Sequence, residues 1–228
     1  MNTDHKPGTA PVCVGLILDG NRRWAKARGL PQLEGHRRGF ETFKTIALHA
    51  EARGVRHLVA YIFSTENWDR SAEEISYLQE LSRELAKGAL DELIKKNIRI
   101  RFIGQRGRFA AALEDQIEEE TADNTGMTVW LCLSYGGRAE IVEAAEKLRQ
   151  SGTEVTEETL RKNMWSAEMP DPDFVIRTGG QQRLSGFLTW QSVYSELFFV
   201  DTYWPDFSPA ELDRILAEFA ERERRHGK

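Results

Sequence analysis

Residues 16–24 read LILDGNRRW, an apolar segment that ends abruptly in an acid, a glycine and two arginines. The short, partly β-branched run Val12–Leu18 predicts a buried strand that ends just before Asp19. In parallel α/β sheets, ligands bind beyond the carboxyl ends of the strands. Gly20 lets the backbone approach a ligand closely. A helix beginning next, near Asn21, would direct free N–H groups at an anion.

Asp19 fits an anion site only if a divalent cation joins its carboxylate to phosphate groups. The alternative is a structural helix cap followed by solvated arginines, Arg22 and Arg23. Two similar polar clusters lie further along the chain, and they favour a binding function for the first.

Strand and helix patterns alternate along the whole chain, without a linker or a repeat. Strands are predicted at Val12–Leu18, Val55–Phe63, Ile98–Ile103, Met127–Leu133, Asp173–Arg177 and Leu197–Val200. Helices are predicted at Gly39–Arg53, Ala72–Lys96, Arg108–Asp123, Ala139–Arg149, Glu157–Asn163, Ser185–Glu196 and Pro209–Arg225. Such alternation predicts a single α/β domain over 1–228, with 1–11 flexible and a central, mainly parallel six-stranded sheet flanked by helices.

Composition limits the function further. The net charge of −5 over 228 residues argues against nucleic-acid binding, so any phosphate site is local. No run is apolar enough to span a bilayer, and 1–10 do not form a leader. Cys13 and Cys132 fall in predicted strands, which suits core thiols in a reducing cytoplasm. The sequence lacks a Walker loop, a dinucleotide fingerprint and zinc-type spacing, so we expect neither nucleotide nor zinc chemistry.

The second cluster is FSTENWDR at residues 63–70, again at the end of a predicted strand. Ser71 and Glu74 fit a capping box for the next helix, so part of this polarity can be structural. Capping does not explain Asn67, Trp68 or Arg70, which are interpreted as functional.

The third cluster is DFVIRTGGQQRLS at residues 173–185. Arg177 and Arg183, together with the Ser185 hydroxyl, form a plausible diphosphate clamp, because guanidinium groups bind phosphate oxygens in bidentate fashion. Glu196, which follows, is either a metal ligand or an ion-pair partner. His36 could donate to a phosphate oxygen at neutral pH.

Two anion sites and one metal-binding acid suggest a reaction between two phosphorylated molecules. The long amphipathic helix Ala72–Lys96 is either ordinary core packing or one wall of an apolar cavity. In the second case, the two phosphorylated molecules have apolar bodies, and Leu78, Leu81 and Leu85 would lie along them.

Taken in order, the motifs resemble those of the cis-prenyltransferases, most closely the bacterial undecaprenyl diphosphate synthases. They are DGNxRW at 19–24, GH at 35–36, FSxENWxR at 63–70, YGGR at 135–138, IRTGG at 176–180, RxS at 183–185, WPDF at 204–207 and RERR at 222–225. The resemblance implies a homodimeric, Mg²⁺-dependent cytoplasmic enzyme, alone or peripheral to the membrane, whose product can pass to the membrane. It would extend an allylic diphosphate, farnesyl or geranyl, with isopentenyl diphosphate and hold the product in an apolar tunnel.

The resemblance also implies residue roles. Asp19 matches a catalytic metal ligand, Glu196 a second metal-linked carboxylate, and Asn67 a proposed proton acceptor, although an amide is a weak base. The allylic diphosphate site corresponds to Gly20, Asn21, Arg22, Arg23, Trp24, Gln32 and His36. The loop beside the reacting carbons corresponds to Ser64, Thr65, Glu66, Asn67, Trp68 and Arg70. The isopentenyl diphosphate clamp corresponds to Arg177, Arg183, Leu184 and Ser185.

Some positions depart from the family pattern. Gln32 replaces an arginine of some members, and Gln181 and Gln182 replace more polar or charged residues. Ile62 replaces a residue that is alanine in long-chain members, and this larger side chain leaves the length of the product open. Two alternatives remain: head-to-middle coupling of two short allylic diphosphates, as in lavandulyl-type enzymes, and a non-catalytic partner subunit. The intact polar set disfavours the second alternative.

Overall fold

The computed structural model describes residues 11–69, 71–108 and 111–222, without the side chains of residues 81–91. Most of the predicted flexible segment, Arg70 and the end of the last predicted helix lie outside these ranges. The strands are β1 Cys13–Ile17, β2 His57–Ser64, β3 Arg99–Ile103, β4 Thr128–Tyr135, β5 Phe174–Arg177 and β6 Glu196–Phe199. The helices are α1 Asn21–Ala27, α2 Gln32–Ala52, α3 Ala72–Lys95, α4 Ala111–Glu120, α5 Gly137–Ser151, α6 Glu157–Asn163 and α7 Pro209–Glu221.

The six strands form one sheet in the order β3-β4-β2-β1-β5-β6, and every pairing is parallel. The predicted single-domain α/β fold is therefore confirmed. Because β1 lies between β2 and β5, the loops after these three strands meet at one edge of the sheet. None of the helices described is both long and apolar enough to cross a bilayer.

Alternating residues of the central strands pack on opposite faces of the sheet, as a sheet covered on both sides requires. Val14 and Leu16 belong to the larger core, and Cys13 and Ile17 belong to the smaller core on the other face. Cys13 and Cys132 are buried free thiols, which confirms the prediction that they are core residues.

Helix α2 begins seven residues earlier than predicted, and Gly35 and Gly39 both lie within it. A Cβ on Gly35 would come within 2.0 Å of the Asn21 carbonyl oxygen, and one on Gly39 within 2.3 Å of Asn21 Oδ1. These glycines therefore let α1 lie directly against α2.

The helix predicted at Ser185–Glu196 is wrong. That segment is a series of turns, in which Ser185, Gly186 and Leu188 adopt φ angles of +50°, +79° and +45°. Left-handed backbone of this kind interrupts a right-handed helix. The segment is instead fixed by the buried Gln191, which donates hydrogen bonds to Glu140 and Ser166.

Candidate active site

A cavity of about 1410 Å³ opens at the carboxyl edge of the sheet. Its lining contains most of the residues predicted from the sequence, from three separate parts of the chain. They are Asp19, Gly20, Asn21, Arg22, Arg23, Gln32, His36, Ser64, Thr65, Glu66, Asn67, Arg177, Leu184 and Ser185. Trp24, Trp68, Arg183 and Glu196 are predicted site residues that do not line it.

The Asp19 carboxylate lies between two guanidinium groups. Its Oδ2 lies 2.9 Å from Arg177 Nη2, and its Oδ1 lies 3.1 Å from Arg23 Nη2. The Arg177 side chain is almost buried, whereas the Asp19 and Arg23 side chains are partly exposed. The first and third sequence clusters, 158 residues apart, thus form one continuous charged wall.

The backbone of Asp19 is held rigidly. Its carbonyl oxygen accepts hydrogen bonds from the Thr178 hydroxyl at 2.7 Å and from the Trp204 N–H at 3.0 Å. Gly20 follows with φ +111°, and a Cβ there would come within 2.7 Å of the Tyr203 ring. Only glycine therefore fits this turn, which fixes the position of the carboxylate.

Arg177 also organises the loop that follows β5. Its Nη1 donates to Ser185 Oγ at 2.9 Å and to the Arg183 carbonyl oxygen. Its buried Nε finds no acceptor among the described residues, so the guanidinium keeps donor capacity for an anion. The Arg183 side chain is exposed and donates to Gln181 Oε1 at 2.7 Å.

Glu74 is a site residue that the sequence assigned only to a helix cap. Ser71 does accept the Glu74 N–H, at 3.3 Å, but the Glu74 carboxylate turns towards α1 and α2. It lies 3.8 Å from both Arg22 Nη1 and His36 Nε2. Gln32 Oε1 accepts from Arg22 Nε at 3.1 Å, so Gln32 positions that arginine.

In the loop after β2, Asn67 and Trp68 have different surroundings. Asn67 Oδ1 accepts the Ser64 N–H at 3.1 Å, which leaves the amide NH₂ group as the donor that the side chain offers the cavity. Trp68 donates to Ser134 Oγ at 2.8 Å and packs its ring on Phe63, so it braces the loop from outside the cavity.

Trp24 also lies outside the cavity. Its indole N–H donates to Asp206 Oδ1 at 2.8 Å, and the Arg28 guanidinium covers its ring at 4.4 Å. Trp24 therefore ties α1 to the segment that supports Asp19.

Glu196 lies far from Asp19 in the same chain and forms an ion pair, one of the two roles that the sequence left open for it; its role as a metal ligand stays a prediction. Glu196 is at the amino end of β6, in register with Phe174 and, through it, with Val14. Asp19 lies five residues beyond Val14, or about 16 Å along the strand direction. The Glu196 carboxylate is instead paired with Arg222 Nη1 at 2.6 Å.

Away from the charged wall the cavity is apolar, between the sheet and helices α2, α3 and α4. Ile62, Phe102 and Leu131 line it from the strands, and Phe43 and Leu78 line it from the helices. The pairing of β2 with β4 skips Ile62, as in a β-bulge, a feature that can redirect side chains beside active sites. The predicted wall residues Leu81 and Leu85 have side chains outside the described part of the chain.

Tyr61 is a cavity residue that the sequence did not single out. Its hydroxyl lies 3.2 Å from the Tyr135 carbonyl oxygen and 3.3 Å from that of Ser185, and its ring stacks on Phe187. Burial raises the pKa of this hydroxyl well above its ordinary value, so it remains a hydrogen-bond donor at neutral pH. The strand pattern predicted that Tyr61 lies within β2 but could not indicate this contact with the third cluster.

Residues 17–227 match the family described as putative undecaprenyl diphosphate synthase. An isoprenyl transferase of Lactococcus lactis is 42% identical over 95% of this chain and 93% of its own length. Isoprenyl transferase 2 of Bradyrhizobium diazoefficiens is 44% identical over 96% of this chain and 90% of its own.

Solved structures agree with the sequence comparison. A lavandulyl diphosphate synthase from Lavandula x intermedia, in complex with dimethylallyl diphosphate, superposes with a TM-score of 0.92 at 32% identity, covering 96% of this chain and 99% of its own. A probable undecaprenyl diphosphate synthase from Campylobacter jejuni superposes with a TM-score of 0.82, also at 32% identity, covering 96% and 100%. This chain is a prenyltransferase and belongs to the undecaprenyl diphosphate synthase family.

Proposed function

We propose that the chain, as one domain over residues 1–228, catalyses cis-prenyl chain elongation. It condenses isopentenyl diphosphate with an allylic diphosphate, farnesyl or geranyl, and releases diphosphate. The observation that carries this proposal is the Asp19 carboxylate between Arg23 and Arg177 at the mouth of a large apolar cavity. The charges suit two diphosphates, and the cavity suits their hydrocarbon chains.

Asp19 fits the role of a Mg²⁺ ligand. Mg²⁺ is commonly held by one or two carboxylates together with substrate phosphates, and the described residues contain no cluster of three or more acidic, histidine or cysteine ligands. When bound, Mg²⁺ neutralises charge on the leaving diphosphate. Arg22, Arg23 and His36 add donors to the same group as the allylic C–O bond breaks.

Arg177, Arg183 and Ser185 are proposed to hold isopentenyl diphosphate. Its terminal alkene carbon attacks the allylic carbon, a new C–C bond forms, and a proton is lost from the isopentenyl unit. Fixing both diphosphates keeps these carbons within reach of each other. Asn67, whose oxygen is already occupied by the Ser64 N–H, orients a diphosphate through its NH₂ group, and a diphosphate oxygen takes the proton.

The apolar part of the cavity is proposed to be the product tunnel. Each added isoprene unit gains hydrophobic burial along this wall. Ile62, which lines it beside the charged end, would then contact the growing chain early.

A cytoplasmic homodimer, at or away from the membrane surface, is part of the proposal. Its support is the edge strand β6, where Leu197 is 39% exposed and the preceding Val193 and Tyr194 are about 70% exposed. Exposed apolar residues grouped at a sheet edge are typical of an interface. Light scattering of wild type and Tyr194→Asp tests this: the variant should lose the dimer, and an unchanged mass would contradict the interface.

Head-to-middle coupling of two short allylic diphosphates is the second candidate. The TM-score of 0.92 with a lavandulyl diphosphate synthase, above the 0.82 of the Campylobacter enzyme, favours it. The 42–44% identity to isoprenyl transferases favours elongation.

The deciding experiment is incubation of the purified chain with Mg²⁺, radiolabelled isopentenyl diphosphate and geranyl, farnesyl or geranylgeranyl diphosphate. Elongation predicts labelled products that differ by single isoprene units. A branched ten-carbon product from dimethylallyl diphosphate alone, without incorporation of isopentenyl diphosphate, would favour coupling and contradict elongation.

A further inference from the structure

The cavity crosses the sheet from the charged wall to the edge strand β3. Three strand spacings separate β1 from β3, or about 14 Å. At that far end the lining is formed by Phe102 of β3 and by Leu113, Glu114 and Ile117 of α4.

Glu114 is a charged residue within this apolar lining. It is only 4% exposed, and Leu113, Ile117 and Phe102 line the same end of the cavity. Burying a carboxylate among apolar groups costs free energy unless it is paired. One of its partners is Arg106, whose Nη1 lies 3.5 Å from Glu114 Oε2.

The need to hold Arg106 in place does not explain why a carboxylate is buried at position 114. Arg106 is bound more closely by Asp115, at 3.2 Å, and by Glu118, at 2.6 Å. Its guanidinium also lies over the ring of Phe102. Glu114 is thus the most distant of three carboxylates around Arg106, and it is the one that lines the cavity.

We propose that Glu114 limits the length of the product, an inference that rests on the chain elongation proposed above. A growing hydrocarbon chain gains burial along Leu131, Phe102 and Leu113. At Glu114 it meets a carboxylate paired with Arg106, and further growth would press apolar carbon against these charges or separate them. Elongation therefore ends at this point.

The product ladder, meaning the set of chain lengths that the protein makes, is compared for Glu114→Leu and Glu114→Gln. Asp115→Leu and Asp115→Asn are the matched controls. Asp115 is the next residue, binds the same arginine and has a 73% exposed side chain outside the cavity. We expect Glu114→Leu to lengthen the mean product by at least one isoprene unit. Glu114→Gln, which keeps the shape and removes the charge, should lengthen it less, and both controls should give the wild-type ladder.

A ladder unchanged by Glu114→Leu, or shifted equally by Asp115→Leu, would overturn the role of Glu114. If Glu114→Leu fails to fold, judged by its circular dichroism and Tm, the shape-conserving Glu114→Gln decides by the same comparison. Wild-type protein that forms no ladder at all would overturn the proposed elongation itself and this inference with it, which separates the two failures.

Discussion

The two ends of the cavity are built in different ways. At the charged end, Asp19, Arg177 and Ser185 are joined to one another and to backbone atoms. At the far end, the wall consists mainly of packed side chains such as Phe102 and Leu113, together with the carboxylate of Glu114. The charged end therefore fixes atoms in place, as bond breaking requires, whereas the far end defines a volume. We expect changes at the first to alter rate and changes at the second to alter product length.

The largest effect is expected at the charged end, from Asp19→Ala. Removal of this carboxylate takes away the proposed Mg²⁺ ligand and leaves Arg23 and Arg177 without their common partner. Loss of one such electrostatic element costs about 3–4 kcal/mol, or two to three orders of magnitude in turnover. Steady-state incorporation of labelled isopentenyl diphosphate measures it.

Asp213→Ala is the control for that variant. Asp213 also lies between two basic groups, 2.8 Å from Arg53 Nη2 and 2.8 Å from His49 Nε2, but it does not line the cavity. Its turnover should stay close to wild type. Turnover of Asp19→Ala within a few-fold of wild type would reject the assignment of Asp19.

A smaller effect at the same end is expected from Arg183→Ala. This exposed side chain is proposed to bind isopentenyl diphosphate, and a hydrogen bond to a charged group is worth about 1.5–3 kcal/mol. The KM for isopentenyl diphosphate should rise roughly tenfold or more, with a much smaller change for the allylic substrate. Gln182→Ala, at an exposed neighbour, should change neither KM. Equal rises for both substrates would show that the charged wall does not divide into two sites.

On the apolar wall, Ile62→Ala should change length and not rate. Removing three carbons beside the charged end relieves the contact with the growing chain, so the product distribution should lengthen by at least one isoprene unit. Ile94→Ala is the control, because Ile94 packs against the main core without lining the cavity. Chain-length analysis of the products is the measurement. An active Ile62→Ala variant that makes the wild-type product lengths would show that Ile62 does not set product length.

The smallest effect is expected at the opposite, amino edge of the sheet, which belongs to neither end of the cavity. Burial lowers the pKa of His57, and the neutral ring accepts the Trp130 indole N–H at 3.3 Å. The His57 ring therefore binds a proton more readily in the unfolded chain than in the folded one. The stability that the folded chain gains from holding this ring neutral is lost as pH falls below about 6.5.

The measurement for His57 is the Tm at pH 7.5 and pH 5.0, for wild type and His57→Gln. The fall in Tm between the two pH values should be smaller in the variant, by less than about 4 °C, the shift that 1 kcal/mol produces in a chain of this size. An identical fall in both proteins would show that His57 does not carry this pH dependence.

The sequence predicted the sheet and the charged end well, for a physical reason. Apolar runs that end at Asp19 and at Arg177 mark the carboxyl ends of parallel strands, and such ends meet at one edge. Glu196 lies outside this reasoning, because it begins a strand instead of ending one, and of the two roles left open for it the structure shows the ion pair. Its partner Arg222 follows α7, and this spatial proximity left no trace in the sequence pattern.

Other parts of the site depend on contacts between distant segments. Glu74 matched a capping pattern, yet its carboxylate lies near Arg22 and His36. The turns after Ser185 depend on positive φ angles at non-glycine residues, which composition does not reveal. Periodicity likewise identified the apolar face of α3 without showing that Leu78 lines a cavity.

The central claim is that the charged groups and the apolar wall of the cavity act separately, and the double variant Asp19→Ala/Ile62→Ala tests it most directly. Changes at independent sites add in free energy. Rate and product length are measured in the same reactions. The rate of the double variant should match that of Asp19→Ala, and the chain lengths of its products should show the longer distribution of Ile62→Ala. A double variant whose products return to the wild-type length, or whose rate differs tenfold from that of Asp19→Ala, would contradict the separation.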